Sequence, residues 1–250
     1  MSRGSRKLVE LFYDVVSPYS WLGFEVLRRY TDVWNINLKL RPAFLGGVYK
    51  GSGNRSPDNV PSKYLYMRTD LARLSAYFDV PMASPADPCN VIEKGSLVAM
   101  RFLTAVAERE LGGDCRLEQI SRELWMRIWS RDQDISQLAS LSEAGLKLGL
   151  PGSEVEELVK LATSQSVKDK LKATTEEAVQ YGAFGFPLIV CHVNGRPEIF
   201  FGSDRFELMA HCIGEKWMGP QPNKLFRCFA KIPSHRHNQT FTYRNLAMTM

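Results

Sequence analysis

The sequence predicts an α/β protein whose two sheet-forming halves are separated by a long, all-helical insertion. Three observations predict it. A strand–helix–strand pattern fills the first 42 residues, helical periodicity dominates about 63–182, and two strand signals joined by Asn194-Gly195 precede a last helix.

Residues 8–13 (Leu-Val-Glu-Leu-Phe-Tyr) are apolar on both faces, as a central strand requires. Ser17-Pro18 then opens a helix over Tyr19 to Trp34, with apolar residues at 22, 26, 27, 30 and 34. Proline suits the first helical position and Ser17 sits where an N-cap belongs. Leu38 to Pro42 alternates as a second strand, completing a βαβ unit. Residues 46–62, rich in Gly, Ser, Asn and Pro, read as loop. The helical stretch that follows is broken at Pro81, Pro85 to Pro88, Gly112-Gly113 and Pro151-Gly152. In it, Leu97 to Leu103 share one helix, and Leu124, Trp125, Ile128 and Trp129 share another as core. Phe186 to Val193 is a third strand, Asn194-Gly195 a hairpin turn, and Glu198 to Phe201 the return. Gly202-Ser203-Asp204-Arg205 opens a last helix to about Trp217. This order is a thioredoxin-type arrangement carrying a helical insertion. The boundaries are 1–62 and 183–225 for the two thioredoxin-like parts and 63–182 for the insertion. A C-terminal extension, 226–250, is expected to be disordered.

Composition narrows the function. The 250 residues are 44% hydrophobic, enough for a sizeable core, and no apolar run nears the roughly 18 residues of a membrane span. No secretory segment follows the start. Five cysteines form no CxxC pair and leave one over, against a disulfide framework. The net charge of +5 belongs to the ends: without Arg3, Arg6, Lys7, Arg227, Lys231, Arg236 and Arg244, residues 10–225 carry 25 basic and 27 acidic residues. A slightly acidic body argues against a nucleic-acid partner.

The chemistry is read from three places. At the start of the first helix, where thioredoxin-type proteins hold a reactive pair, the chain has Ser17-Pro18-Tyr19-Ser20. Two serines exclude dithiol–disulfide exchange there, so any sulfur must come from a ligand. Ser17 is either a donor to a bound thiolate or only a helix cap. Lowering a thiol from a pKa of about 8.5 to about 6.5 takes roughly 2.7 kcal/mol, about what one charge-assisted hydrogen bond and a helix terminus supply. At Gly185-Phe186-Pro187, a cis proline would turn the Phe186 backbone toward the site, to pair with a peptide as an added strand. A trans proline would merely start the strand. At Gly202-Ser203-Asp204, backbone N–H groups suit a carboxylate and Asp204 an ammonium, as in a γ-glutamyl group. The alternative is a capping box between Asp204 and Glu207.

Residues Val9 to Asp14, Ser17 to Gly23, Glu93 to Leu97, Arg122 to Met126, Tyr181 to Gly185, Phe201 to Arg205 and Gly214 to Pro220 carry a resemblance extending from about 7 to 225. The chain resembles the kappa-class glutathione transferases, of the DsbA-like branch of the thioredoxin fold. The resemblance implies a thioredoxin-like domain with a large all-helical insertion, glutathione as co-substrate, no metal, and a homodimer. It implies conjugation of glutathione to small electrophiles such as aryl halides, reduction of organic hydroperoxides, and a role in detoxification. Ser17 would stabilise the glutathione thiolate, with Pro18 and Tyr19 shaping the sulfur site. Phe186, beside Pro187, would pair with the cysteinyl backbone; relatives often have leucine there, so the wall for the second substrate should differ. Ser203 and Asp204 would hold the γ-glutamyl end, and Asn54 and Lys63 would reach the glycyl end. Asp70 matches a further contact, which can belong to the facing subunit's site. His192 and His211 are read as structural.

A glutathione-dependent isomerase of the 2-hydroxychromene-2-carboxylate type is the alternative enzyme. A non-catalytic ligand-binding scaffold, with Ser17 only a cap, is the alternative of another class. Family members commonly end in a peroxisomal tripeptide, and Asn223-Lys224-Leu225 resembles one. The 25 residues after it would mask it from a receptor that reads a C-terminus. Residence in the mitochondrial matrix rests on the resemblance alone, since seven residues before the first strand are too few for a transit peptide.

Overall fold

The computed structural model describes residues 6–109 and 115–222. The Gly112-Gly113 break, the Asn223-Lys224-Leu225 tripeptide and the extension 226–250 lie outside the described residues. Among the described residues, β1 (Lys7–Tyr13), β2 (Ile36–Pro42), β3 (Leu188–Val193) and β4 (Arg196–Phe201) form one sheet in the order β2-β1-β3-β4. β1 runs parallel to β2, with Val9 opposite Leu38, and antiparallel to β3, with Leu11 opposite Ile189. Between β1 and β2 lies α1 (Pro18–Tyr30), the crossover of the βαβ unit. Asn194 and Gly195, both at positive φ, turn β3 into β4.

The alternation of β1 explains its double-sided apolarity. Val9, Leu11 and Tyr13 enter the larger core with Trp21 and Leu27 of α1. Phe12 faces the other way, into a smaller core with Ala43, Val48, Ala178 and Leu188. On that same side Glu10 is nearly buried, ion-paired to Arg41 and in contact with His192 Nε2 at 2.9 Å. Burial pushes the Glu10 carboxyl up, but His192 and Arg41 outweigh it and hold the pKa below the ordinary range.

Between β2 and β3 the chain builds α2 (Leu45–Ser52), α3 (Pro61–Phe78), α4 (Pro88–Lys94), α5 (Leu97–Arg109), α6 (Cys115–Ser130), α7 (Leu138–Lys147), α8 (Gly152–Thr163) and α9 (Gln165–Gln180). Leu124, Trp125, Ile128 and Trp129 do lie together in the core, on α6.

Two expectations fail. Residues 46–62 are not all loop: Gly46, Gly47 and Gly51 lie inside α2, and a short 3-10 turn follows at Pro57–Asn59. A Cβ on Gly47 would come within 2.7 Å of Thr175 Cγ2, and one on Gly51 within 3.0 Å of Val179 Cγ2. These glycines let α2 lie close on α9, so a packing requirement looks like a loop signal. The second failure is the last helix, α10 (Phe206–Ile213), which starts later and ends earlier than its pattern suggests. Arg205 is its N-cap residue and no side chain caps it, so the Asp204–Glu207 box does not form. The start is delayed because Gly202 N–H donates to the Pro187 carbonyl at 3.0 Å, tying that segment to the sheet. Past α10, Trp217 folds back to stack on Tyr30 and Phe206, at centroid distances of 5.0 and 5.5 Å.

Candidate active site

The site is built on the short segment between β1 and α1. Asp14, fully buried, organises it: its carboxylate accepts from Val16 N–H (3.0 Å), Leu45 N–H (2.8 Å) and the Ser96 hydroxyl (2.8 Å). Its carbonyl accepts from Ser17 N–H at 3.0 Å. Burial pushes the Asp14 carboxyl up to about 6, against the pull of those three hydrogen bonds. From the helical side, Trp125 Nε1 donates to the Ser17 carbonyl (3.2 Å) and Trp129 Nε1 to the Val15 carbonyl (3.3 Å). The tryptophans are therefore core and tether together. Sequence reasoning missed Asp14 and Ser96 as site-forming residues. Their partners stand 31 and 82 positions apart in the chain, so local pattern holds no signal for them.

Ser17 is the N-cap of α1. Its Oγ accepts from Ser20 N–H at 3.1 Å and donates to the Phe186 carbonyl at 3.1 Å. Ser17 therefore caps α1, and its contact with Phe186 also sets the hydroxyl beside the strand entry. The Phe186–Pro187 bond is cis, so the trans alternative is excluded. Pro18, buried, occupies the first position of α1. A Cβ on Gly23 would lie 3.2 Å from Pro187 Cγ, so the glycine lets α1 approach the proline. Ser20 Oγ is buried with no hydrogen-bond partner. Gly202, strapped to Pro187, brings the buried Ser203 to the same edge, while Asp204 stays exposed and 3.6 Å from Arg205.

The opposite wall comes from α3. The Tyr19 hydroxyl donates to Asp70 Oδ2 at 2.9 Å. Burial, followed by the hydrogen bond and charge of Asp70, raises the Tyr19 pKa, and Asp204 adds to the effect. The phenol is thus neutral with its proton committed to Asp70, which suits it to shaping the site rather than to proton transfer. Asp70 turns here to its own chain's Tyr19. Tyr19, Lys63, Tyr66 and Met67 line a cleft of about 300 Å³. Asn54 Nδ2 donates to the Phe184 carbonyl at 2.6 Å, two residues before Phe186. Ser17, Phe186, Pro187 and Ser203 thus form one seam, and Tyr19 and Lys63 line one cleft, with Asp70 held by the Tyr19 hydroxyl. Asn54 and Asp204 are exposed and do not line that cleft.

A bound thiolate would meet a hydroxyl and a helix N-terminus at the seam. Cys115, Cys191 and Cys212 offer no substitute: Cys191 is buried and its thiol pushed up to about 12 by that burial, and Cys115 and Cys212 are free but off the seam. Among the described residues no three His, Cys, Asp or Glu side chains group as a metal site would require. No helix among them is long and apolar enough to cross a membrane.

Comparison with known proteins bears on this arrangement. Residues 8–214 match the DSBA-like thioredoxin domain family. Glutathione S-transferase kappa 1 of Homo sapiens is 52% identical over 86% of this chain and 95% of its own length. A 2-hydroxychromene-2-carboxylate isomerase of Sphingobium xenophagum is 26% identical over 81% of the chain and 96% of that protein. Among solved structures, a 2-hydroxychromene-2-carboxylate isomerase superposes with a TM-score of 0.67 at 19% identity, covering 83% of this chain and 94% of that one. That likeness speaks for the fold, whereas the kappa-class identity speaks for the enzyme: the chain belongs to the kappa-class glutathione transferases, within the DsbA-like thioredoxin family.

Proposed function

We propose that the protein activates the thiol of glutathione at Ser17 and transfers it to small electrophiles. The observation carrying this reading is the Ser17 hydroxyl, held at the α1 N-terminus and hydrogen-bonded to the Phe186 carbonyl. A cysteinyl backbone pairing with Phe186 takes over that carbonyl and leaves the hydroxyl to donate to sulfur. The helix terminus acts in the same direction, favouring the anion. Ser203 and Asp204 hold the γ-glutamyl end, and Lys63 and Asn54 the glycyl end.

On an aryl halide, the thiolate forms the carbon–sulfur bond and halide leaves, the thiol proton having passed to solvent. On an organic hydroperoxide, sulfur attacks oxygen, the O–O bond breaks, and the protonated alkoxide departs as alcohol. A second glutathione then displaces water from the sulfenic acid to give the disulfide. The exposed Leu65, Tyr66 and Tyr77 of α3 support a homodimer in which these side chains are covered. A transferase is favoured over the isomerase by the kappa-class identity, twice that of the isomerase relative.

The test is a titration of bound glutathione by thiolate absorbance. The thiol pKa should lie near about 6.5 in wild type and return toward about 8.5 in Ser17→Ala. An ordinary thiol pKa in wild type would leave only the scaffold reading. We also propose mitochondrial or peroxisomal residence with the tripeptide masked; a chain ending at Leu225 that still fails to enter peroxisomes would refute the masking.

A further inference from the structure

Away from the seam, α2, α5 and α9 enclose a cleft of about 790 Å³, within the range of small-molecule sites. Phe44, Leu97, Leu171 and Val179 give it apolar walls. Lys50, Arg101 and Lys168 line it as well, one from each helix. Of the acids on the cleft, Glu176 pairs with Lys172 at 3.6 Å and Asp169 accepts from the neutral Gln165 amide at 2.8 Å, so the three cations outnumber the one carboxylate left without a cationic partner. Among the described residues no carboxylate pairs with Lys50, Arg101 or Lys168, and Arg101 Nε is buried without a hydrogen-bond partner. A buried guanidinium nitrogen without an acceptor is costly unless something else supplies one. An apolar cleft ringed by three unpaired cations has the chemistry of an organic anion with an apolar body.

We propose that this cleft is a second binding site, separate from the catalytic seam, for an amphipathic organic anion: an aromatic or aliphatic body bearing one carboxylate, sulfonate or sulfate. The body lies on Phe44, Leu97, Leu171 and Val179, and the anionic group meets Arg101 and Lys168, with Lys50 across the opening. None of the residues assigned to glutathione lines the cleft, which adjoins the Asp14 network at the Phe44–Leu45 turn, where Phe44 N–H donates to Thr175 Oγ1 at 3.0 Å and Leu45 N–H to Asp14, and at Leu97, next to Ser96. Occupation therefore needs none of the groups assigned to glutathione.

The probe is 8-anilinonaphthalene-1-sulfonate, titrated by fluorescence into the full-length protein with and without saturating glutathione. N-phenyl-1-naphthylamine, the same apolar body without the sulfonate, is the control. The sulfonate should bind at least about tenfold more tightly than the neutral compound, and glutathione should not displace it. Lys168→Glu and Arg101→Gln should each weaken it about tenfold or more while leaving glutathione affinity unchanged. Lys168 is only partly buried on α9, so its charge reversal decides the matter even where Arg101→Gln disturbs folding. Equal affinity for both compounds, displacement by glutathione, or indifference to Lys168→Glu would overturn the proposal.

Discussion

Two helix N-termini face the proposed ligand, and they are made differently. At α1, proline occupies the first position, Ser17 caps the helix, and Asp14, Trp125 and Trp129 pin the preceding backbone. At α10 no side chain caps the helix, and Asp204 projects into solvent beside Arg205. The difference matches two tasks. Charge develops at sulfur, where a hydroxyl on a fixed backbone needs only to exchange the Phe186 carbonyl for the thiolate. The γ-glutamyl end needs only to be held, and exposed groups suffice for that.

The largest effect should come from breaking the pinned end at Asp14. Its pKa is raised from an ordinary 3.8 to about 6, so the folded state holds the proton more tightly than the unfolded chain. The stability it contributes is therefore full below its ordinary pKa and is lost as pH rises through about 6, by about 3 kcal/mol. Asp14→Asn cannot titrate. Urea unfolding from about pH 3.5 to about pH 7 should show wild-type stability falling relative to the variant by that amount. A difference constant across the window would show that Asp14 does not carry the proton. Ser17→Ala comes next. It should lower turnover of an aryl halide at pH 7 by about 25-fold through the lost thiolate, and cost about 1 kcal/mol of stability through the lost cap.

How much of this was legible follows the range of each interaction. The βαβ unit, the Ser17 cap and the Asn194-Gly195 turn are set by neighbours in sequence and all appear, although α1 stops at Tyr30, short of Trp34, and β2 begins at Ile36. Pro187 was legible only as a position, with its geometry inferred from the fold type. What escaped depends on distant partners. Gly47 reads as loop until Thr175 lies against it, and Asp14 is one acid among many until Leu45 and Ser96 close on it. The α10 start was misread because Gly202 answers to Pro187 and not to the helix that follows. The cations of the α2–α5–α9 cleft meet only in three dimensions, from positions 50, 101 and 168.

The exposed end gives smaller effects, and these sharpen the contrast. Asp204→Asn should raise KM for glutathione about tenfold, the scale of one charged contact at a partly solvated site, with the bound thiol pKa unchanged. A rise in that pKa would mean that Asp204 acts on the sulfur after all.

Arg205→Ala is the smallest and the most direct comparison with Ser17→Ala, since both remove an N-cap side chain. Arg205 makes no capping bond, and its backbone (φ −101°, ψ 8°) lies outside the extended region from which a cap side chain reaches back. Ser17, at φ −88° and ψ 113°, lies inside it. Thermal or urea unfolding of Arg205→Ala should therefore stay within about 0.5 kcal/mol of wild type, where Ser17→Ala loses about twice that or more. Equal losses at the two positions would mean that the α10 terminus is as firmly built as that of α1. The division between a fixed sulfur end and an adaptable γ-glutamyl end would then fall.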